Sequence, residues 1–255
     1  MHHFTATDGI RIAYQLFGSD RSRPPVVLHH GYIVDARLNW VGPGIVAALV
    51  AAGRWVVAPD ARGHGASEKP HAPACYGEAR MADDLRELFD RLGEDRYDLA
   101  GYSMGAVVAL LVAGRDARVR RLVVGGVGGA LAEPRAASVR SMAGAAVAAG
   151  MLAAEPRLIG NPGVAAFRRL ADQVGADRQA MAAQARATHA GPIELARIRV
   201  PTLVLAGEHD PLALQPERLA AAIPGARLAM VQGDHMGALQ DRRFASALVD
   251  FLAEA

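Results

Sequence analysis

The sequence predicts an α/β fold: a mostly parallel β-sheet with helices on both faces and an all-helical insert before the last two strands. Three observations carry this. Short apolar runs alternate with longer stretches of helical spacing as far as Gly129. The β signal then stops from Ala130 to Ala190, where Pro134, Pro156 and Pro162 break helix-friendly stretches. It returns in two further runs before a last helix. At 255 residues, 51% of them hydrophobic, the chain is long enough to bury one large α/β core.

In chain order, Thr5 to Phe17 reads as a hairpin, with Asp8-Gly9 as its turn and Ile10, Ile12 and Tyr14 alternating after it. Pro25-Val26-Val27-Leu28-His29-His30 and Trp55-Val56-Val57-Ala58 are continuous apolar runs, as strands buried on both faces require. Tyr97 to Gly101 and Leu122 to Val124 give two more, and Thr202 to Ala206 and Arg227 to Val231 the last pair. Between them, Leu38 to Ala52 reads as a helix. Met81, Leu85, Leu88, Phe89 and Leu92 mark a second by their spacing, and Met104 to Ala113 is a third. The closing helix runs from about Gly237 to Leu252.

Composition excludes several classes of function. A single cysteine, Cys75, allows no internal disulfide, and no Cys/His zinc-ligand spacing occurs. The net charge of +2 comes from scattered arginines rather than a basic stripe, so no nucleic-acid partner is implied. The most apolar run, Ala106 to Ala113, is far short of the roughly 20 residues of a membrane span. The residues after Met1 lack the pattern of an export signal. The expectation is a soluble cytoplasmic protein acting on a small molecule without metal or cofactor.

The sharpest motif is Gly101-Tyr102-Ser103-Met104-Gly105, which follows a predicted strand and opens a predicted helix. In such an elbow the chain turns abruptly, and the flanking glycines leave room where a Cβ would collide. The serine is then presented at the carboxyl edge of the sheet, beside a helix N-terminus. An ordinary Gly-flanked turn would give the same five letters without the strand and helix on either side. Serine needs a base, and the base an orienting carboxylate. The last two strands run into Gly207-Glu208-His209-Asp210 and Gly233-Asp234-His235. Asp210 and His235 therefore fall on the edge that carries Ser103. The run Gly125 to Gly129 after the preceding strand offers no competing carboxylate. Asp234 is the alternative orienter, although neighbours on a short loop rarely face each other.

These pieces, with His30-Gly31 and Asp60-Ala61-Arg62-Gly63-His64-Gly65-Ala66-Ser67, resemble the α/β-hydrolase-fold superfamily in its serine-nucleophile, esterase- and lipase-like branch. The resemblance spans nearly the whole chain. It implies an eight-stranded sheet, with a core domain of residues 1–129 and 191–255 and a helical cap of 130–190. It also implies Ser103 as nucleophile, His235 as general base and Asp210 as its orienter. The oxyanion hole would be the main-chain N–H groups of Tyr32 and Met104. His64 would then belong to a structural loop.

The resulting expectation is hydrolysis of an ester, thioester or lactone of a small hydrophobic substrate. A cofactor-independent lyase or oxygenase, a haloperoxidase-like enzyme and a receptor-like binder on the same triad are the alternatives. Superfamily members that open epoxides carry Asp where this chain has Ser103. Expected pocket residues are His30, Trp40, Tyr102 and, after the last two strands, Leu212 and Met236, with Met142 and Met151 from the cap. His30 is also read as fixing the oxyanion loop. Core packing is an equal reading for the methionines, and Arg135, Arg140 and Arg157 read as surface charge. The segment from Ala130 to Ala190 holds 21 of 53 alanines, and Phe167 is the one aromatic from Val127 to Arg199. So little side-chain bulk predicts a mobile cap.

Overall fold

The computed structural model describes residues 1–133, 136–189 and 191–254, and for 136–141 the main chain alone. Eight strands form one sheet: β1 (His2–Thr5), β2 (Arg11–Phe17), β3 (Val26–His29), β4 (Val56–Pro59), β5 (Tyr97–Tyr102), β6 (Val119–Gly125), β7 (Thr202–Gly207) and β8 (Arg227–Val231). Their order across the sheet is β1-β2-β4-β3-β5-β6-β7-β8. β1 and β2 form the antiparallel hairpin, and β2 pairs antiparallel with β4. Every later pairing is parallel, so six strands point their carboxyl ends to one edge.

Strand alternation divides the interior into two cores. Val27, Leu99, Leu122, Val124 and Val204 face α2 (Glu78–Leu92) and α3 (Met104–Ala113). Val26, Leu28, Ala100, Val123 and Leu205 face α1 (Ile45–Ala51) and α8 (Arg242–Ala253). Burying each such aliphatic side chain stabilises the fold by about 1.5–3 kcal/mol. Met104 through Val112 are all buried, so α3 is walled in on every side and gives the residues at its start a rigid mount.

Three helices, α4 (Ala136–Leu152), α5 (Pro162–Val174) and α6 (Arg178–Arg186), lie between β6 and β7. Asn161 caps α5 through the Val164 amide, and Asp177 caps α6 through those of Gln179 and Ala180. A Cβ on Gly144 of α4 would lie 2.2 Å from the Ala185 carbonyl oxygen, so glycine is what lets α4 and α6 cross closely.

The structure departs from the sequence reading in three places. The helix expected over Leu38 to Ala52 is a π-turn (Arg37–Val41) followed by α1. Gly42-Pro43-Gly44 separates them: Pro43 has no amide to donate, and Gly44 has a φ of +82°. The closing helix begins as a 3₁₀ turn (Gly237–Gln240) before α8. A short helix, α7 (Pro216–Ala222), went unread because its proline sits at the first helical turn, where it is tolerated.

Candidate active site

The elbow is built as its glycines require. β5 ends at Tyr102, α3 begins at Met104, and Ser103 between them has φ 56° and ψ −115°. A non-glycine residue held there is strained, and such strain persists only when its surroundings enforce it. A Cβ on Gly101 would lie 2.1 Å from the Gly105 oxygen. One on Gly105 would lie 2.1 Å from the His29 oxygen, so the start of α3 packs directly on the end of β3. The Ser103 amide donates to the Gly125 carbonyl (2.8 Å), locking the turn to β6.

Asp210 and His235 meet beyond β7 and β8. The Asp210 side chain is fully buried, and its Oδ2 accepts from His235 Nδ1 at 2.8 Å. Its Oδ1 accepts from the Leu212 amide (2.8 Å), so both oxygens are engaged. A carboxylate on Nδ1 places the ring proton there and leaves the lone pair on Nε2, the tautomer a general base needs. Tyr102 supports this histidine from below: its hydroxyl donates to the His235 carbonyl (2.6 Å), and the rings lie 5.2 Å apart. A Cβ on Gly126, which has φ +66°, would meet the Tyr102 ring at 2.7 Å and His235 Cε1 at 3.0 Å. That contact sets the imidazole beside the loop after β6, to which the Ser103 amide also bonds through Gly125. Asp234 instead accepts from the amides of Met236 and Gly237 and caps the following turn.

The loop after β3 faces Ser103 from the other side. A Cβ on Gly31 would sit 3.4 Å from the Ser103 Cβ. The Gly31 amide donates to Asn39 Oδ1 (2.9 Å), from the π-turn that sequence reasoning took for helix. His30 is pinned at both ring nitrogens: Nδ1 donates to the Gly31 carbonyl (2.7 Å), and Nε2 accepts from the Ala61 amide (2.8 Å). Burial pushes its pKa below the usual histidine value, against the pull of Asp60, so the ring is neutral. Among the described residues, no hydrogen bond occupies the main-chain amide of Tyr32 or Met104. The next residue, Ile33, has φ +77°, an outlier for a β-branched side chain.

The loop from Asp60 to Ser67 is a brace. Asp60 accepts from the amides of Ala36 (3.0 Å) and Ala66 (2.9 Å). Arg62 is buried and pairs with Asp84 (2.6 Å) and Asp8 (2.7 Å), tying α2 to the hairpin turn. His64 donates from Nδ1 to the Arg62 carbonyl (2.9 Å), and burial holds its pKa well below the usual value.

Ser103 opens into a cavity of about 300 Å³ between the sheet edge and α4–α6. Tyr32, Met104 and Leu212 line it, with Val107 and Val127 from the sheet side. Val147, Phe167, Gln184 and Thr188 line it from the insert. The pocket expectations need correction at six residues. Trp40 is buried beneath the sheet, edge-on to the Tyr102 ring at 6.4 Å, because side chains there feed the opposite core. Tyr102 and His30 lie under the site rather than on its wall. Met151 is 1% exposed and packs in the core, Met142 is 76% exposed, and Met236 faces solvent. Arg135 and the Arg140 side chain lie outside the described residues, and Arg157 pairs with Glu155 at the surface. Phe167 and Gln184 were missed. Phe167 had a signal, as the one aromatic of the insert; Gln184 had none, since Gln173 and Gln179 stand in the same segment.

A mostly parallel sheet flanked by helices, with a strained serine elbow and an Asp–His pair on one edge, defines the α/β-hydrolase class of architecture. Comparison with known proteins agrees. The model of the alpha/beta hydrolase family matches residues 26–247, and the chain belongs to that family. A hydrolase from Pseudomonas aeruginosa PA01 is 30% identical, with a TM-score of 0.78 over 99% of this chain and 98% of its own. The enol-lactonase from Burkholderia xenovorans LB400 is 27% identical, with a TM-score of 0.76 over 99% of this chain and 100% of its own. Epoxide hydrolase A of Mycobacterium tuberculosis is 37% identical over 122 residues, which is 46% of this chain and 37% of that protein's length. The chain thus spans little more than a third of that curated relative. Among the described residues no helix is long and apolar enough to cross a membrane, and no three His, Cys, Asp or Glu side chains could hold a metal ion together.

Proposed function

We propose that the protein is a serine hydrolase that cleaves an ester, thioester or lactone of a small hydrophobic substrate. The observation that carries this reading is the strained Ser103 on the wall of an apolar cavity, with the Asp210–His235 pair on the same sheet edge. Ser103 Oγ attacks the carbonyl carbon while His235 Nε2 takes its proton. The tetrahedral oxyanion is held by the amides of Tyr32 and Met104. Collapse breaks the bond to the alcohol or thiol, which leaves with the proton from His235. A water then gives its proton to His235 and attacks the acyl-enzyme, and Ser103 regains its proton as the acid departs. Helices α4–α6 act as a cap that keeps the cavity dry and apolar.

The enol-lactonase neighbour supports an ester-like bond. The epoxide hydrolase relative does not draw the reading toward epoxides, because the nucleophile position here is a serine. The test is labelling with a fluorophosphonate and turnover of short-chain p-nitrophenyl esters. Ser103→Ala should abolish labelling and lower turnover by on the order of 10⁴-fold or more. Asp210→Asn should cost about 10⁴-fold, since Asn favours the wrong imidazole tautomer, whereas Asp234→Asn should cost less than about twofold. Equal turnover by wild type and Ser103→Ala would overturn the proposal.

A further inference from the structure

α6 touches both residues assigned to the oxyanion hole, from two positions one turn apart. The Tyr32 hydroxyl donates to the Met181 carbonyl at 2.7 Å. The Gln184 carboxamide donates to Met104 Sδ at 3.8 Å and accepts from the Gly77 amide at 3.3 Å. Every residue of α6 from Ala180 to Ala185 is buried, and in that run Gln184 is the sole polar side chain. A carboxamide in such surroundings is retained only where its bonds are made. Burial pushes the Tyr32 phenol far above its ordinary pKa, so it remains a donor.

The Tyr32 ring is gripped on both sides. His64 of the brace loop lies edge-on at 6.1 Å, and Phe167 of α5 lies edge-on at 6.1 Å. Immediately after it, Ile33 is held at φ +77°, a conformation that relaxes unless its neighbours are fixed. At its start, Asp177 caps α6 and also accepts from His71 at 3.0 Å, a contact at the surface.

We propose that α6 is the positioning strut of the oxyanion hole, with Tyr32 and Gln184 as positioning residues that hold the Tyr32 and Met104 amides at their working separation. This rests on the serine-hydrolase reading for its catalytic consequence and on the contacts alone for its mechanical one. A substrate group seated against Phe167 and Gln184 then bears on the strut. Binding at the far end of the cavity is thereby expressed in the transition state rather than in the ground state.

Tyr32→Phe keeps the ring and removes the hydroxyl; Gln184→Leu keeps the volume and removes both bonds. Each should lower kcat for p-nitrophenyl esters, and the rate of fluorophosphonate labelling, by about 10-fold, less than the loss of a whole donor. KM should change by less than about twofold in Tyr32→Phe, whose ring stays in the cavity wall. Hydrogen exchange read by mass spectrometry should quicken in both variants over residues 30–34 as well as 178–186. Wild-type protein inert to esters and to the phosphonate would sink the hydrolase reading while the exchange data still decide on the strut. Faster exchange confined to 178–186 overturns the strut, as does an equal loss in kcat and thermal stability that Tyr32→Phe and Gln184→Leu share with no change at 30–34.

Discussion

The two edges of the sheet treat charge and strain in opposite ways. At the amino edge, Asp98 near the start of β5 is fully buried, yet it is paired with both Arg54 and Arg120. The guanidiniums also donate to the carbonyls of Pro24 and Leu252. At the carboxyl edge the buried rings of His29, His30 and His64 are held neutral, and the backbone is strained at Ile33 and Ser103. One edge satisfies its charges in a fixed network. The other keeps neutral donors, acceptors and a strained serine in place. Paired charge and backbone strain thus stand at opposite ends of the same strands.

The sharpest way to test that division is to separate the two properties by mutation. Ser103→Gly should eliminate ester turnover and yet raise stability by about 1 kcal/mol, since glycine accepts the positive φ without strain. Thermal melting and a turnover assay on one sample check both. The complementary change is Asp98→Ala, which leaves the buried Arg54 and the half-buried Arg120 without their carboxylate. It should cost about 3–5 kcal/mol of stability, while activity per folded molecule at low temperature stays at the wild-type level. Comparable loss of specific activity in the folded fraction would break the contrast.

Acid should find the carboxyl edge first. In the unfolded chain each histidine titrates near about 6.5, whereas burial holds His29 down at about 3 and His30 and His64 below their usual value. Below about 6.5 the unfolded chain therefore binds protons that the native chain refuses. Their contribution is fully present above that pH and is lost as pH falls toward the folded values. Each ring removes at most about 1.4 kcal/mol per pH unit. A melting temperature that stays flat from about pH 7.5 to about pH 5 would contradict neutral rings. The smallest effect concerns the insert: amides of α4 and α5 should exchange before those of β3 and β5, with α6 the slowest of the three helices. Uniform protection across the insert would count against a mobile cap.

The sequence was most legible where local chemistry dictates geometry. Apolar runs without alternation marked β3, β5 and β7, and Gly101 and Gly105 marked the one place where helix and strand backbones must touch. It was least legible where the answer depends on how an element is turned about its axis. α4 is rich in Ala and Gly with no apolar stripe, so nothing in its spacing says that Val147 faces the cavity while Met142 faces solvent. Tyr102 adjoins the serine in sequence, but strand alternation directs it into the opposite core, and the π-turn turns Trp40 into that same core. Gln184 acquires its meaning only from partners 107 and 80 residues away.

The Asp98 network also bears on how the chain folds. Arg54 meets the Leu252 carbonyl across 198 residues of sequence, and Arg120 meets the same carbonyl across 132. Closing loops of that length is entropically costly, and no early local structure supplies the final partner. During synthesis both arginines are already in place long before α8 can reach them. The two arginines that pair with Asp98 thus gain their last acceptor only when α8 docks, which couples the start of β5 to the final helix in one cooperative step.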